Sequence, residues 1–248
     1  MRNQYGIQLY SIRDLACENL EEAIKAVAEM GYSYVEFAGL FGHTAEEVKA
    51  MLDKYGVKVC STHTGWDQLK PECIDETIAY HKAIGNPNII VPGFDKTEQT
   101  FEKMVEVFNF AQPILEKNGI ALGYHNHSHE FAKRESGIVY HTELEKRTNV
   151  EFQLDTFWVY NAELDPVAEM ERLKGRLRSV HLKDGFKSGT GLEPGAVGKS
   201  VGSGAAPVLD VIKKAEELGL LLIVESEGLD PTGKEEVKRC IDFLKDNG

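Results

Sequence analysis

Four short apolar segments of this 248-residue chain each end in a side chain that can bind a metal ion. The segments are residues 120–125, 151–155, 179–181 and 220–225, and their composition is typical of strands buried on both faces. Parallel strands of a closed barrel bring their carboxyl ends to one face. Two histidines and two carboxylates gathered there would suit one divalent cation. We therefore predict a metal site formed by His125, Asp155, His181 and Glu225.

Each of these side chains also has an ordinary structural interpretation. The carboxylate of Asp155 could cap the following helical segment, and Glu225 could form a salt bridge in a loop. A single histidine at a strand end, such as His181, is more often structural than a ligand. The metal interpretation depends on all four occurring together at successive strand ends.

The segment Tyr-His-Asn-His-Ser-His-Glu at residues 124–130 holds three of the chain's eight histidines. If the strand continued through it, His125, His127 and His129 would share one face, because side chains alternate with period two. We expect His127 or Glu130 to act as an acid or base beside the metal. Two alternatives stay open: His127 could replace His125 as the first ligand, or the three histidines could form a weak surface metal site.

Other strand-end residues extend the predicted site. Lys183 shares a face with His181, where it could stabilise negative charge on an oxygen atom. His63 follows a strand-like segment and is a candidate acid–base group. The Gly- and Ser-rich segment 185–204 is expected to be a binding loop in which Lys187 could hold an anionic group. The residues expected to contact substrate are Glu36, Trp158 and Lys187.

Eight strand-like segments alternate with helical segments along the chain. Gly31 and Gly56 follow two of the helical segments and are typical helix ends, and Thr44 with Glu47 predicts a capping box. No Gly-x-Gly-x-x-Gly motif follows a strand, which disfavours an open doubly wound sheet. We predict an α/β protein, a single (β/α)8 TIM barrel forming one domain over residues 1–248.

The net charge of −12 disfavours nucleic-acid binding, since phosphate contacts need clustered Lys and Arg. No run of 18 apolar residues predicts a membrane span, and the amino terminus shows no signal sequence. The four cysteines form no Cys-x-x-Cys pair. We expect a cytoplasmic protein with a small carbohydrate or cyclitol as its partner, and the sequence leaves open whether it forms a homo-oligomer.

Six segments together resemble the xylose-isomerase-like TIM-barrel superfamily, which includes sugar phosphate isomerases and epimerases, inosose dehydratase and endonuclease IV. They are residues 6–13, 122–131, 154–159, 179–184, 201–204 and 223–225. The resemblance implies metal ligands in the order Glu, Asp, His, Glu, and the last three match Asp155, His181 and Glu225. His125 stands where the epimerases carry the first Glu, which in those enzymes forms an acid–base pair with the last. Trp158 stands where they carry His.

The Tyr-His-Asn-His version looks like a subgroup usually named only sugar isomerase/epimerase, with some relatives that resemble dehydratases or lyases. We therefore predict an enzyme, a metal-dependent sugar isomerase or epimerase in which Glu225 moves a proton through a metal-stabilised enediolate. Mn²⁺ is favoured, with Zn²⁺, Mg²⁺, Co²⁺ and Fe²⁺ as alternatives. The nearly equal alternative is a metal-dependent dehydratase or lyase acting on keto-inositols or 3-keto-glycosides. A non-catalytic sugar-binding subunit and an apurinic endonuclease are less favoured.

Overall fold

Eight parallel strands close into a barrel in the structure, a computed structural model that describes residues 4–188 and 198–247. Each strand pairs with its neighbours in chain order, and the last strand pairs with the first, with Ile7 opposite Val224. This arrangement confirms the predicted (β/α)8 TIM barrel. The strands are β1 (Gly6–Gln8), β2 (Tyr34–Ala38), β3 (Lys58–His63), β4 (Asn88–Val91), β5 (Ala121–His125), β6 (Glu151–Asp155), β7 (Leu177–Leu182) and β8 (Leu221–Val224).

Helices surround the barrel and begin and end where local chemistry favours it. Thr44 and Glu47 form the predicted capping box, and Gly31 and Gly56 end their helices in the left-handed conformation. No helix within the described parts of the chain is long and apolar enough to cross a membrane. The α-helices of the described residues are α1 (Arg13–Ala16), α2 (Leu20–Met30), α3 (Ala45–Tyr55), α4 (Ile74–Ala83), α5 (Glu98–Lys117), α6 (Tyr140–Arg147), α7 (Thr156–Asn161), α8 (Pro166–Leu173), α9 (Val208–Leu218) and α10 (Gly233–Asn247).

Among the local features that were not predicted from the sequence, two lie near the predicted site. Helix α7 directly follows β6, and its six residues are too few to show a helical period. A two-residue antiparallel pair joins Asp184–Gly185 to Gly198–Lys199, so the predicted loop 185–204 begins and ends in ordered backbone. Residues 189–197 of that loop lie outside the described residues.

The Asp184 carboxylate holds the two ends of this loop together. It accepts hydrogen bonds from the backbone N–H groups of Gly185, Gly202, Gly204 and Ala206, at 2.8 to 3.0 Å. A Cβ on Gly204 would overlap the Asp184 Oδ1 atom, so only glycine allows this approach. The loop is therefore anchored next to Lys183, at the barrel face where the predicted site lies.

Alternation along the strands separates an apolar outer layer from a polar interior. Leu122, Leu154 and Val180 are fully or almost fully buried, at positions that face the helices. On each strand, the residues that alternate with these positions point into the barrel. At the carboxyl end of the barrel, these inward residues are mostly polar. The buried polar residues of this interior include Gln8, Glu36, Ser61, Gln153, Ser179 and His181.

We predict that His141, which is buried in the outer core, makes the folded state less stable in acid. The ring of His141 lies between Phe131 and Phe152, with centroids 4.6 and 4.7 Å away. Burial, assisted by the charge of Arg172, lowers the pKa of His141 from 6.5 to about 3. An unfolded chain therefore binds this proton more readily, so the folded state loses stability as pH falls from 6.5 towards 3.

We compare the free energy of unfolding of His141→Phe with that of the wild type. This difference should favour the variant by about 2 kcal/mol more at pH 5 than at pH 8. Phenylalanine keeps the ring contacts and carries no titrating group. Urea unfolding of both proteins at pH 8, 6 and 5 measures this difference. A stability difference that does not change with pH would show that His141 contributes nothing to the acid response.

Candidate metal centre

The structure brings together the four side chains predicted to bind metal. His125, Asp155 and His181 lie in β5, β6 and β7, and Glu225 directly follows β8. One potential ligand atom from each lies within 4.8 Å of the others, and all four residues are buried. The ring centroids of His125 and His181 are 4.7 Å apart. These four residues could hold one ion, and we call this candidate site the metal centre.

The donor set fits a divalent metal ion. His125 Nδ1 and Asp155 Oδ2 are buried, and neither has a hydrogen-bond partner among the described residues. Buried polar atoms rarely lack a partner in folded proteins. Two imidazoles with two carboxylates are also a common donor set for divalent transition metals. These unpartnered atoms are therefore explained if they bind an ion.

Asp155 serves both as a helix cap and as a member of the centre. Its Oδ1 atom accepts a hydrogen bond of 2.9 Å from the backbone N–H of Trp158, at the start of α7. Asn126 bonds both the N–H and the carbonyl of Asp155, at 3.0 and 3.2 Å. The capping interpretation is thus correct for Oδ1, while the second oxygen, Oδ2, is buried without a hydrogen-bond partner among the described residues.

His181 is oriented by Glu36, which lies deeper in the barrel. Glu36 Oε1 is 2.6 Å from His181 Nε2, and His181 Nδ1 is 3.2 Å from Glu225 Oε2. Burial lowers the pKa of His181, but Glu36 and Glu225 outweigh it and raise that pKa to about 10. With its Nε2–H donated to Glu36, His181 would bind an ion through Nδ1 after losing the proton there. A carboxylate behind a ligating histidine in this way fixes its tautomer and raises its basicity.

Glu36 is fully enclosed and surrounded by hydrogen-bond donors. Gln8 and Gln153 donate to it at 2.7 and 2.6 Å, Ser61 donates to it as well, and His63 Nε2 lies 3.2 Å away. Burial alone would raise its pKa, but the two neighbouring histidines and these hydrogen bonds lower the pKa of Glu36 to about 2. This environment does not suit the substrate contact expected from the sequence, because no surface of Glu36 is exposed. We assign it instead to orienting the histidine ligand above it.

Replacing Glu36 by glutamine should weaken the metal centre without abolishing it. The amide in Glu36→Gln would present N–H donors to side chains that already donate, and it would no longer fix the His181 tautomer. We expect metal affinity to fall about 10- to 100-fold, as for other outer-shell partners of metal ligands. Titration of metal-stripped protein by calorimetry measures this, with Glu47→Gln at the α3 capping box as a control away from the site. Unchanged affinity in Glu36→Gln would remove Glu36 from the centre.

Charged neighbours shift the pKa values of the two carboxylates of the centre to different extents. Burial raises the pKa of Asp155 to about 7, although Lys183 opposes this. Burial acts on Glu225 as well, but Lys183 and His181 outweigh it and hold the pKa of Glu225 well below its usual range. Burial, with the neighbouring histidines, keeps the pKa of His125 well below 6.5. At neutral pH Glu225 is therefore ionised and His125 is neutral, which are the forms that bind metal.

Lys183 lies behind Glu225 and is completely buried. Its Nζ atom is 2.7 Å from Glu227 Oε1 and 4.0 Å from Glu225 Oε2. The same atom lies 4.3 Å from the centroid of the Trp158 ring, a cation–π distance. Lys183 is thus held beside the metal centre by two carboxylates and an aromatic ring.

The other predicted acid–base residues and Lys187 occupy four different environments. His63 bonds Gln153 at 2.8 Å and its ring lies 4.9 Å from that of His125, so it borders the centre. The His127 side chain is 38% exposed and its ring lies 5.7 Å from that of Trp158. Glu130 is fully enclosed beside His127. Lys187 lies farther along the chain, with its Nζ atom 4.3 Å from the centroid of the Tyr160 ring.

Residues 24–247 match the family described as xylose isomerase-like TIM barrel. The chain belongs to this family. It is 26% identical to a 2-oxo-tetronate isomerase from Haemophilus influenzae over 187 residues, which cover 65% of this chain and 72% of that protein. It is 24% identical to an inosose dehydratase from Geobacillus kaustophilus over 189 residues, 66% of this chain but only 61% of the dehydratase.

The fold of this xylose isomerase-like barrel also matches solved structures. A sugar phosphate isomerase/epimerase from Parabacteroides distasonis superimposes with a TM-score of 0.80 and 24% identity, over 98% of this chain and 97% of that one. Proteins similar to this chain are thus named for isomerisation, epimerisation and dehydration, which indicates an enzyme without fixing its reaction.

Sequence reasoning missed several residues that support the centre of this xylose isomerase-like barrel. Gln153 bonds both Glu36 and His63, and Asn126 locks the backbone of Asp155. Glu227 pairs with Lys183. Period two would have placed Gln153 on the same face as Asp155, and that signal was available from the sequence.

Proposed function

We propose that this protein is a divalent-metal-dependent isomerase or epimerase that moves a proton at a carbon next to a carbonyl group of a small carbohydrate or cyclitol. The observation that carries the proposal is the convergence of His125, Asp155, His181 and Glu225 at the carboxyl end of the barrel. A divalent ion held there, with Mn²⁺ as our first choice, would act as a Lewis acid and make the neighbouring C–H more acidic. The net charge of −12 supports a small-molecule substrate rather than a nucleic acid.

Glu225 is the residue that we assign to remove the proton. Its side chain is 7% exposed, so it can meet a substrate at the edge of the centre while remaining largely shielded from water. Lys183, 4.0 Å away, keeps this carboxylate ionised and therefore able to accept a proton. Lys183 is completely buried, so its charge would stabilise the developing enediolate from behind Glu225 and not by direct contact with substrate.

Imidazoles and an indole also border the centre. His127 is the more exposed imidazole and is the group that we assign to exchange a second proton with substrate, with the less exposed His63 as the alternative. The Trp158 ring offers an apolar face next to His127 for packing against a sugar ring. Glu130 and Glu36 are enclosed, so we assign neither of them a direct contact with substrate.

One observation favours a dehydratase or lyase as a second candidate. His125 occupies the strand end of β5, and the neighbouring side chains His63 and His127 are also imidazoles. Protonation of a departing hydroxyl or alkoxyl group needs a general acid, and an imidazole that has taken up a proton can supply it. In this case Glu225 would remove the same proton and the bond to the leaving group would then break. Substrates would be keto-inositols or 3-keto-glycosides.

Proton NMR of Mn²⁺-loaded protein in D₂O tests both candidates with one panel of ketoses, keto-inositols and 3-keto-glycosides. The paramagnetic ion is removed by chelation before spectra are recorded. Deuterium next to the carbonyl, with every hydroxyl retained, would support the isomerase or epimerase. Deuterium uptake with a released hydroxyl or aglycone would support the lyase. If the whole panel is unchanged, both proposals fail and a non-catalytic binding role gains weight.

A further inference from the structure

A second group of potential metal ligands lies in the turn after β5. It consists of His127, His129 and Glu130, which each offer a ligand atom within 4.8 Å of the others. Glu130 Oε1 is 3.2 Å from His129 Nε2 and 4.0 Å from His127 Nδ1. We call these residues the His–His–Glu cluster. It shares no member with the metal centre, although the His127 ring lies 5.0 Å from that of His125.

The backbone explains why these three side chains meet. Strand β5 ends at His125, and a short 3₁₀ helix, Ser128–Phe131, follows it. The period-two alternation therefore stops, and His127 no longer shares a face with His125 as a continued strand would require. Glu130 lies one turn after His127, and the rings of His127 and His129 stack with centroids 5.9 Å apart.

The nitrogen atoms that approach Glu130 lack other partners. His127 Nδ1 and His129 Nε2 are both buried without a hydrogen bond in the described parts of the chain. Glu130 itself is fully enclosed and held in place, since the Tyr124 hydroxyl donates to Oε1 at 2.7 Å and the His127 N–H donates to Oε2 at 2.8 Å. A fixed carboxylate oxygen next to two unpartnered imidazole nitrogens is an arrangement that a cation would complete.

We propose that the His–His–Glu cluster is a second metal site that binds Zn²⁺ or a chemically similar late transition-metal ion. Two imidazoles and one carboxylate, with a fourth position open to water, form a common zinc donor set. Lys96 and Arg134 add positive charge near His129, so simple electrostatic attraction is weak here. This favours ions with high affinity for imidazole over Mg²⁺ or Mn²⁺.

Occupancy of this site would order one wall of the active-site opening. The His127 side chain is partly exposed and its ring lies 5.7 Å from that of Trp158. Coordination through Nδ1 leaves the Nε2–H of His127 as a hydrogen-bond donor in a single tautomer. The proposal does not depend on the reaction catalysed, because it concerns binding by residues outside the metal centre.

Counting bound Zn²⁺ in metal-stripped protein after equilibrium dialysis against micromolar Zn²⁺ tests the proposal. We expect two ions per chain in the wild type, one in His129→Gln, one in Glu130→Gln and one in Asp155→Asn. His43→Gln, which changes a half-exposed histidine elsewhere, should keep two. Circular dichroism checks that each variant is folded, and the amide in Glu130→Gln can still bond both Tyr124 and the His127 N–H.

The outcomes separate this site from the metal centre. A wild type with one ion that is lost in His129→Gln but kept in Asp155→Asn would still support the second site while contradicting the first. Loss of the only ion in Asp155→Asn, with His129→Gln unchanged, would overturn the second site. Two ions in folded His129→Gln would also overturn it, because the second ion would then lie elsewhere.

Discussion

Asp155→Asn should lose metal while remaining folded. The substituted side chain retains an oxygen that can accept the N–H of Trp158, so the start of α7 keeps its cap. The unpartnered Oδ2 atom, however, is replaced by an NH₂ group with no lone pair for an ion and no negative charge. We expect affinity for Mn²⁺ to fall by more than about 100-fold, beyond the 10- to 100-fold typical of outer-shell changes. Turnover at limiting metal should fall with it.

A matched control lies at the start of the next helix. Asp165 caps α8 through hydrogen bonds to Val167 and Ala168 and lies outside the metal centre. Asp165→Asn should leave Mn²⁺ affinity unchanged, which separates the loss of a ligand from the loss of a capping charge. Calorimetric titration of both metal-stripped variants gives the comparison. Full Mn²⁺ affinity in folded Asp155→Asn would remove Asp155 from the ligand set.

Glu225→Gln should stop proton transfer even where metal is saturating. The amide oxygen introduced by this substitution can still approach the ion, but it is too weak a base to remove a C–H proton. General-base catalysis by a positioned side chain contributes about 10²- to 10⁴-fold, and we expect a loss of that size. The rate of deuterium incorporation into a substrate of the wild type, measured over a range of metal concentrations, distinguishes lost chemistry from weaker metal binding.

Glu235→Gln is the control for this substitution. Glu235 is exposed in the first turn of α10, where it bonds Thr232, and it lies outside the metal centre. The Glu235→Gln variant should incorporate deuterium into substrate at the same rate as the wild type. Normal exchange in metal-saturated Glu225→Gln would falsify the assignment of Glu225 and direct attention to His127.

Local sequence pattern alone predicts the barrel and the four strand ends. Alternation of strand and helix segments indicates parallel strands, and parallel strands in a barrel present their carboxyl ends on one face. Period two then predicts that His181 and Lys183 share a side. Both approach Glu225, whose Oε2 atom lies 3.2 Å from His181 Nδ1 and 4.0 Å from Lys183 Nζ. These predictions need only local pattern and the known geometry of the fold.

Closure of the barrel sets which inward side chains meet and at what depth. Glu36 and His181 are 145 residues apart and come within 2.6 Å only because the barrel closes. Register shifts between Val35 and Glu36, and between Phe152 and Gln153, set the level of these side chains along the barrel axis. Local sequence pattern does not show how neighbouring strands are shifted relative to each other. Glu36 was therefore expected to contact substrate, whereas in the structure it is fully enclosed and bonds His181.

The turn after β5 also depends on tertiary structure, although its residues are close together in the sequence. The sequence showed three alternating histidines but not where the strand would end. Because β5 ends at His125, His127 and His129 turn towards Glu130, while the His127 ring stays 5.0 Å from that of His125. A strand end is set by the loss of a hydrogen-bonded neighbour, and β6 pairs with β5 only as far as His125. That boundary depends on the neighbouring strand, and so on the tertiary structure.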